Sequence, residues 1–208
     1  MSKDWTFDQA VAKTFVRHAQ QHIPNYDTVI NKTVDACKYL LSSEASIIDV
    51  GCATGNTLNH LRQQGFTNLT GIDSSQSMLD QCQVSNRLIC GTQFPNEKFD
   101  AVLCNWTLHF IKEKTDYLQQ IYAGLNDQGF LILSEKTSLD PLPIHFYHLH
   151  KSRLGVSDAD IKHKQQSIQN IMFIDQPNWY LKTLSQVGFS KVYIIDAHWC
   201  FTTFLCLK

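Results

Sequence analysis

Apolar residues open the chain at helical spacing. Phe7, Val11 and Phe15 share one face until Pro24 interrupts the pattern. A second run through Tyr26, Val29, Ile30, Val34 and Tyr39 repeats the helical period. The pattern then changes. Ser46 to Val50 is a short, nearly unbroken apolar run of the type found in buried parallel strands. A helix from Asn56 to Gln64 is expected next, stopped by Gly65. Asn68 to Ile72 reads as a second strand ending in Asp73, and Ser74 or Ser75 can cap a helix carrying Met78 and Leu79. Arg87 to Cys90 and Phe99 to Cys104 are two further strands. Thr115 to Leu125 is a helix, and Gly129 opens the strand "FLILSE".

Strands and helices thus alternate through the middle of the chain, which implies an α/β fold with a parallel sheet covered on both faces. The tail differs. Pro141 to Asn170 is rich in His, Lys and Gln and predicts one or two inserted helices. Trp179 to Val187 is a helix halted at Gly188. "KVYIID" and "HWCFTTFLCLK" are strands joined by a connection too short for anything but antiparallel pairing. The expected architecture is a mixed sheet of about seven strands with a C-terminal antiparallel hairpin. A length of 208 residues suits a single domain, with a helical cap over 1–42 and an inserted helical segment over 141–175.

Composition narrows the partners. The formal net charge of −1 creates no global field towards nucleic acid or an acidic membrane, so no direct nucleic-acid role is expected. No apolar run approaches the roughly 18 residues of a membrane span. Seven cysteines without C-x-x-C spacing read as reduced, buried thiols in the cytoplasm. The first residues, Met1-Ser2-Lys3-Asp4-Trp5, carry no apolar signal core.

The chemistry concentrates in "IIDVGCATGNT", residues 47–57. The turn after the first strand faces the carboxyl ends of the strands, where open α/β sheets bind ligands. Gly51 and Gly55 would let a ligand approach the backbone, and the following helix presents its N–H groups. The spacing is D-x-G-x-x-x-G rather than the dinucleotide G-x-G-x-x-G, and no Lys-Ser/Thr pair follows as in a P-loop. Asp49 stands where a pyrophosphate would feel it. At roughly 4 Å a carboxylate attracts a cation by about 4 kcal/mol at an effective dielectric near 20, and repels a phosphate similarly. A cationic nucleoside without phosphates fits: S-adenosylmethionine. Asp73, about 20 residues past the glycine turn, can accept hydrogen bonds from both ribose hydroxyls.

Other constellations carry less. "CNWTLHFI", Cys104 to Ile111, points at the same cleft edge. Asn105 could hold the methionine end of the cofactor and Trp106 could cover it; the competing reading is a core strand end with a buried aromatic. His145, His148 and His150 match no metal-ligand spacing, so no metal is expected and a partly exposed helical surface is the better reading. Lys162, His163 and Lys164, offset by Asp158 and Asp160, read as a solvated helix face. No catalytic residue is assigned. Methyl transfer from an activated sulfonium needs little acid–base machinery, since orientation alone can supply roughly 7–11 kcal/mol.

On these motifs the sequence resembles class I methyltransferases, with their Rossmann-like fold, and within them the carboxy-S-adenosylmethionine synthases of the wobble-uridine tRNA modification pathway. "FDQAVAKTF", "IPNYDTVI", "IDVGCATG", "GIDSSQSML", "NWTLHF", "IYAGLNDQGFLILSEK", "NIM" and "VGFSKV" have counterparts in the same order. The resemblance implies that Tyr26, Gly51, Cys52, Ala53, Asp73, Ser74 and Asn105 contact the cofactor. Thr92 and Gln93 fall where the family places an acid and an apolar residue beside the adenine. The family is dimeric through its inserted helices, which implies a homodimer.

One departure bears on activity. The family reads Lys-Arg-Ala-Asn-Gly-Tyr-Ser where this chain reads Lys151-Ser152-Arg153-Leu154-Gly155-Val156-Ser157. By the resemblance, that arginine grips the extra carboxylate of carboxy-S-adenosylmethionine. Here Arg153 comes one residue later, a rotation of about 100° on a helix. The region between strands two and four is also shorter than in the family. The first expectation is therefore an S-adenosylmethionine-dependent methyltransferase acting on a small molecule, with Trp106 and Arg153 as candidate substrate contacts. The alternatives are a prephenate-using carboxy-S-adenosylmethionine synthase and a non-catalytic S-adenosylmethionine-binding protein.

Overall fold

A computed structural model describes residues 9–84, 86–168 and 171–208. Phe7 of the first helical pattern and Asn170 of the "NIM" motif lie outside the described residues. Helices α1 (Gln9–His22) and α2 (Tyr26–Leu40) precede β1 (Ile47–Val50) and α3 (Asn56–Gln63). Then come β2 (Leu69–Asp73), α4 (Gln76–Leu79), β3 (Arg87–Cys90), β4 (Phe99–Asn105) and α5 (Lys114–Gly124). The tail holds β5 (Leu125–Lys136), α6 (Pro141–Arg153), α7 (Asp158–Ile168), α8 (Pro177–Val187), β6 (Lys191–His198) and β7 (Phe201–Leu207).

The strands form a seven-stranded sheet in the order β3-β2-β1-β4-β5-β7-β6. β1 to β5 run parallel, while β7 pairs antiparallel with both β5 and β6. All four residues of β1 are buried, because helices cover both faces. Alternate side chains serve the two layers. Ile48, Val50, Val102, Leu131 and Leu133 meet Leu118 and Ile121 of α5 and Tyr180 and Leu184 of α8. Ile47, Ala101, Leu103, Phe130 and Ile132 meet Ile30 and Val34 of α2 and Leu58 and Leu61 of α3. Strand order reverses between β1 and β4, which opens a crevice at their carboxyl ends. Helix α1 leans on that end, with Ala12 packed beside Ala53 and Met78.

Element boundaries fall within a few residues of the sequence reading, and the deviations have local causes. Tyr39 is 88% exposed, so it leaves the inward stripe of α2. The buried position on that stripe is Cys37, three residues after Val34. Strand β5 begins at Leu125 rather than after Gly129, with a register shift between its pairings to Phe99 and Ala101. His198 belongs to β6, and Trp199 turns the hairpin with φ 52°. The insert holds two helices, and Cys90 is exposed on β3 while the other six cysteines are buried. Among the described residues no helix is long and apolar enough to cross a membrane.

Gly55 caps α3 with φ 79°, and a Cβ there would lie 2.3 Å from Cys82 Sγ. Gly55→Ala therefore adds backbone strain and a clash, and should cost about 1–3 kcal/mol in denaturant unfolding. Adding Cys82→Ala should recover the steric part and leave the backbone part. An unchanged midpoint for the single variant would refute this account of the glycine.

Candidate functional site

The β1–α3 turn owes its shape to three left-handed residues: Gly51 at φ 71°, Ala53 at φ 48° and Gly55 at φ 79°. The N–H groups of Gly51 and Cys52 both donate to the Ile72 carbonyl, at 2.8 and 3.1 Å, and tie the turn to β2. Asp73 fastens it from the other side. One carboxylate oxygen accepts the Ala53 N–H at 3.0 Å, and the other accepts the Ser75 N–H at 2.8 Å. The Ser74 N–H also bonds this carboxylate, and of its roughly four acceptor sites at least one remains for a ligand hydroxyl. Burial raises the Asp73 pKa, and the backbone N–H bonds partly oppose the rise.

These residues floor a cavity of about 750 Å³ that runs from the β1–β4 crevice towards the inserted helices. Its first end is acidic, with Asp49 and Asp73 in the wall and Gly91, Thr92 and Met78 nearby. Asp49 is buried, and that burial, reinforced by Asp73, raises its pKa to about 8. At neutral pH the carboxyl is therefore mostly protonated until a cation displaces the proton. This corrects the simple picture of a permanent negative charge at the turn.

Aromatic walls come next. Tyr26 and Trp106 stack with ring centroids 4.9 Å apart, and the Asn56 amide donates to the Tyr26 hydroxyl at 3.2 Å. Trp106 sits at φ 57°, and its N–H donates to the Ser134 carbonyl at 2.6 Å. Ser134 Oγ donates to Asn105 Oδ1 at 2.7 Å and fixes the amide. Asn105 Nδ2 is then buried without a partner. A buried donor is costly when unpaired, so this nitrogen marks a place for a ligand acceptor.

The far end of the cavity is basic. Lys136, Tyr147, His163 and Lys164 line it, with Lys151 buried behind Tyr147. The Tyr147 ring lies 4.0 Å from Lys151 Nζ and 5.3 Å from Lys136 Nζ. Its hydroxyl donates to the His22 carbonyl at 2.7 Å, which braces α6 against α1. Among the described residues neither Lys136 nor Lys151 pairs with a carboxylate. Burial lowers the Lys136 pKa. Burial and then the Lys136 charge bring Lys151 to about 8. Burial and then Lys151 bring Lys164 to about 7. Burial, with Lys151 next, holds His22 near 4, and its Nδ1 has no partner. Crowded, desolvated ammonium groups favour an anion.

Most of the residues singled out in the sequence converge on this cavity. Tyr26, Asp49, Gly51, Cys52, Ala53, Asp73, Ser74, Thr92, Asn105 and Trp106 all line it. Three do not. Gly55 lies outside the wall, packed against Cys82 at the start of α3. Gln93 is exposed beside Thr92, outside the wall. Arg153 is exposed at the end of α6, while Lys151, two residues earlier, is 3% exposed. Helix geometry turns these two side chains by about 200° relative to each other. Lys162 and His163 are exposed, as a solvated helix face requires, but His163 also borders the cavity, and Lys164 lines it half-buried. Lys136 was the most legible omission. A lysine closing an apolar strand, on the ligand side of a parallel sheet, is itself a signal. Lys151 and Lys164 sit on separate helices and give no local sign.

Comparison with known proteins agrees with this geometry. A family profile described as a methyltransferase domain matches residues 17–192. The carboxy-S-adenosyl-L-methionine synthase of Helicobacter hepaticus is 31% identical, over the whole of this chain and 96% of that protein. The enzyme of the same name from Actinobacillus pleuropneumoniae serotype 5b is 28% identical over 91% of this chain and 87% of its own. Among solved structures, a possible histamine N-methyltransferase from Thermotoga maritima superposes with a TM-score of 0.66 at 16% identity, covering 96% of this chain and 97% of that one. The magnesium protoporphyrin IX methyltransferase of Synechocystis PCC 6803 gives 0.68 at 15% identity, covering 97% and 96%. These two likenesses bear on the fold. With the family profile spanning most of the chain and a full-length relative above 30% identity, the chain belongs to the S-adenosylmethionine-dependent methyltransferase family.

Proposed function

We propose that this methyltransferase acts on a small organic acid, bound in the same cavity as S-adenosylmethionine. The observation that carries the proposal is the lysine group at the end opposite Asp49 and Asp73, in which Lys136 and Lys151 are buried and Lys164 is half-buried. The cofactor supplies a methyl group activated by its sulfonium. In this reading Asp73 accepts the ribose hydroxyls and Asn105 Nδ2 donates to the methionine end. Asp49 responds to the cofactor's positive charge. Cys52, Ala53, Ser74 and Thr92 shape the adenosine end, and the Tyr26–Trp106 pair shields the methyl group from water. The lysines orient the acid and neutralise it.

A second reading has specific support. The full-length relatives are carboxy-S-adenosyl-L-methionine synthases. The buried lysines offer positive charge where the displaced Arg153 offers none, so the loss of the family arginine does not exclude a carboxylated cofactor. In that reading the acid loses carbon dioxide, which bonds to the cofactor's methyl carbon as that carbon gives up a proton, and no acceptor is methylated. One experiment separates the two. Purified protein is given S-adenosylmethionine with a panel of carboxylic acids, including prephenate, and the products are weighed by mass spectrometry. A methylated acid with S-adenosylhomocysteine supports the first reading; a cofactor heavier by one carboxyl group supports the second. Binding without turnover across the panel would leave a non-catalytic binder.

We also propose a homodimer in the cytoplasm. Seven cysteines without C-x-x-C spacing, six of them buried, suit a reducing compartment. Leu139, just before the inserted segment, and Leu142 on it are exposed, and Phe146 stacks on Trp199 at 4.8 Å in a surface patch that a second copy could cover. Sedimentation should give twice the 23.8 kDa chain mass. A monomer at high micromolar concentration would end the proposal.

The pKa shifts give opposite pH trends for the two ligands. S-adenosylmethionine must displace the Asp49 proton, so its affinity should rise with pH, approaching about tenfold per unit well below 8, and level off above it. Asp49→Asn should flatten that slope in calorimetry. The acid needs protonated lysines, so its affinity should fall as pH rises through 7 to 8. Lys136→Ala should raise the KM for the acid about tenfold or more while leaving the cofactor Kd nearly unchanged. Equal loss for both ligands would place Lys136 outside the acid site.

A further inference from the structure

Glu135 stands apart from the groups already assigned. It is wholly buried near the end of β5, one residue before Lys136. Its carboxylate gathers three donors. One oxygen accepts the Leu108 N–H at 2.8 Å; the other accepts the His109 N–H at 2.8 Å and faces His109 Nδ1 at 2.6 Å. These two N–H groups open the short 3-10 turn Leu108–Phe110, where helical geometry leaves donors unsatisfied. A carboxylate meets both at once with charge-assisted bonds.

The turn follows directly on Asn105, Trp106 and Thr107, three consecutive residues of the cavity wall. This segment holds a left-handed Trp106 and an inward-facing Asn105, so it needs anchors on both sides. Ser134 supplies the anchor before it, through the Trp106 N–H and the Asn105 amide. Glu135 supplies the anchor after it. The clamp also reaches the insert. The His109 carbonyl accepts the Phe173 N–H at 2.7 Å, and Lys114 Nζ bonds the Phe173 carbonyl and Asp175.

We propose that Glu135 is a positioning residue, whose grip on the Leu108–His109 backbone holds Asn105 and Trp106 in register with the methionine end of the bound cofactor. The proposal rests on the reading above in which Asn105 meets that end and Asp73 meets the ribose. It makes Glu135 selective: its loss disturbs the methionine end and spares the adenosine end, some distance away around Asp73. A carboxylate that merely filled the core would, when altered, weaken both ends together.

Adenosine separates these possibilities, because it has the ribose and base but no methionine. Calorimetry on the full chain would measure S-adenosylmethionine and adenosine against wild type and Glu135→Gln. The expected result is about a tenfold or greater loss for S-adenosylmethionine, with adenosine within about twofold. Equal losses, or no loss, would overturn the proposal. Should the Gln variant fail to fold, Glu135→Asp keeps the charge on a shorter arm. It should show the same selectivity at smaller size, and a proportional loss or none would again overturn it. If wild-type protein bound adenosine but not S-adenosylmethionine, the underlying cofactor reading would fall too, before any variant was compared.

Discussion

The site depends on one close approach. A Cβ on Gly51 would lie 2.0 Å from Thr107 Oγ1, so only glycine lets the β1 turn and the β4 loop meet. That contact joins two segments more than fifty residues apart in sequence into a continuous cavity wall. The remaining wall follows from it. Asp73 can brace the Ala53 N–H because the turn is drawn back over β2. Trp106 can reach Tyr26 because the β4 loop folds over the turn. The strand-order reversal between β1 and β4 sets where this happens, since it leaves the carboxyl ends of both strands uncovered by a crossover.

Charge divides the cavity as clearly as shape does. Two buried or partly buried carboxyl groups stand at one end; at the other are buried Lys136 and Lys151 and half-buried Lys164, with the exposed Asp160 also in the lining. Each set is uncomfortable alone. Burial and Asp73 raise the Asp49 pKa, while burial and a neighbouring lysine lower those of Lys151 and Lys164. A cationic ligand at the first end and an anionic one at the second would relieve both. This polarity suits the organic-acid reading, and it suits the carboxylated cofactor of the relatives equally well.

The fold was mostly legible in the chain, because it is written in short-range periodicities. Unbroken apolar runs marked the buried parallel strands, and glycines at 65 and 188 marked helix ends. The very short link before Phe201 required the antiparallel hairpin. Errors arose where a residue's face or strand was read by extension: Tyr39 lies off the buried stripe, His198 ends β6 instead of opening β7, and Trp199 lies in the turn between them. The acidic end of the cavity was legible for the same reason. Asp49, Gly51 and Asp73 belong to one strand–turn–strand unit, whose spacing alone indicates a shared ligand.

The basic end was not legible. Lys136, Lys151 and Lys164 come from a strand and two separate helices, and Tyr147 brings two of them together. Nothing in their spacing distinguishes Lys151, which is buried, from Arg153, which is exposed. Only the packing of α6 against α1, through Tyr147 and the His22 carbonyl, decides which side chain turns inward. The sequence by itself determined a methyltransferase fold and the acidic end of the cavity, because both depend on local period and spacing. The tertiary structure decided the basic half and the Glu135 clamp, because those depend on which distant residues share one buried volume.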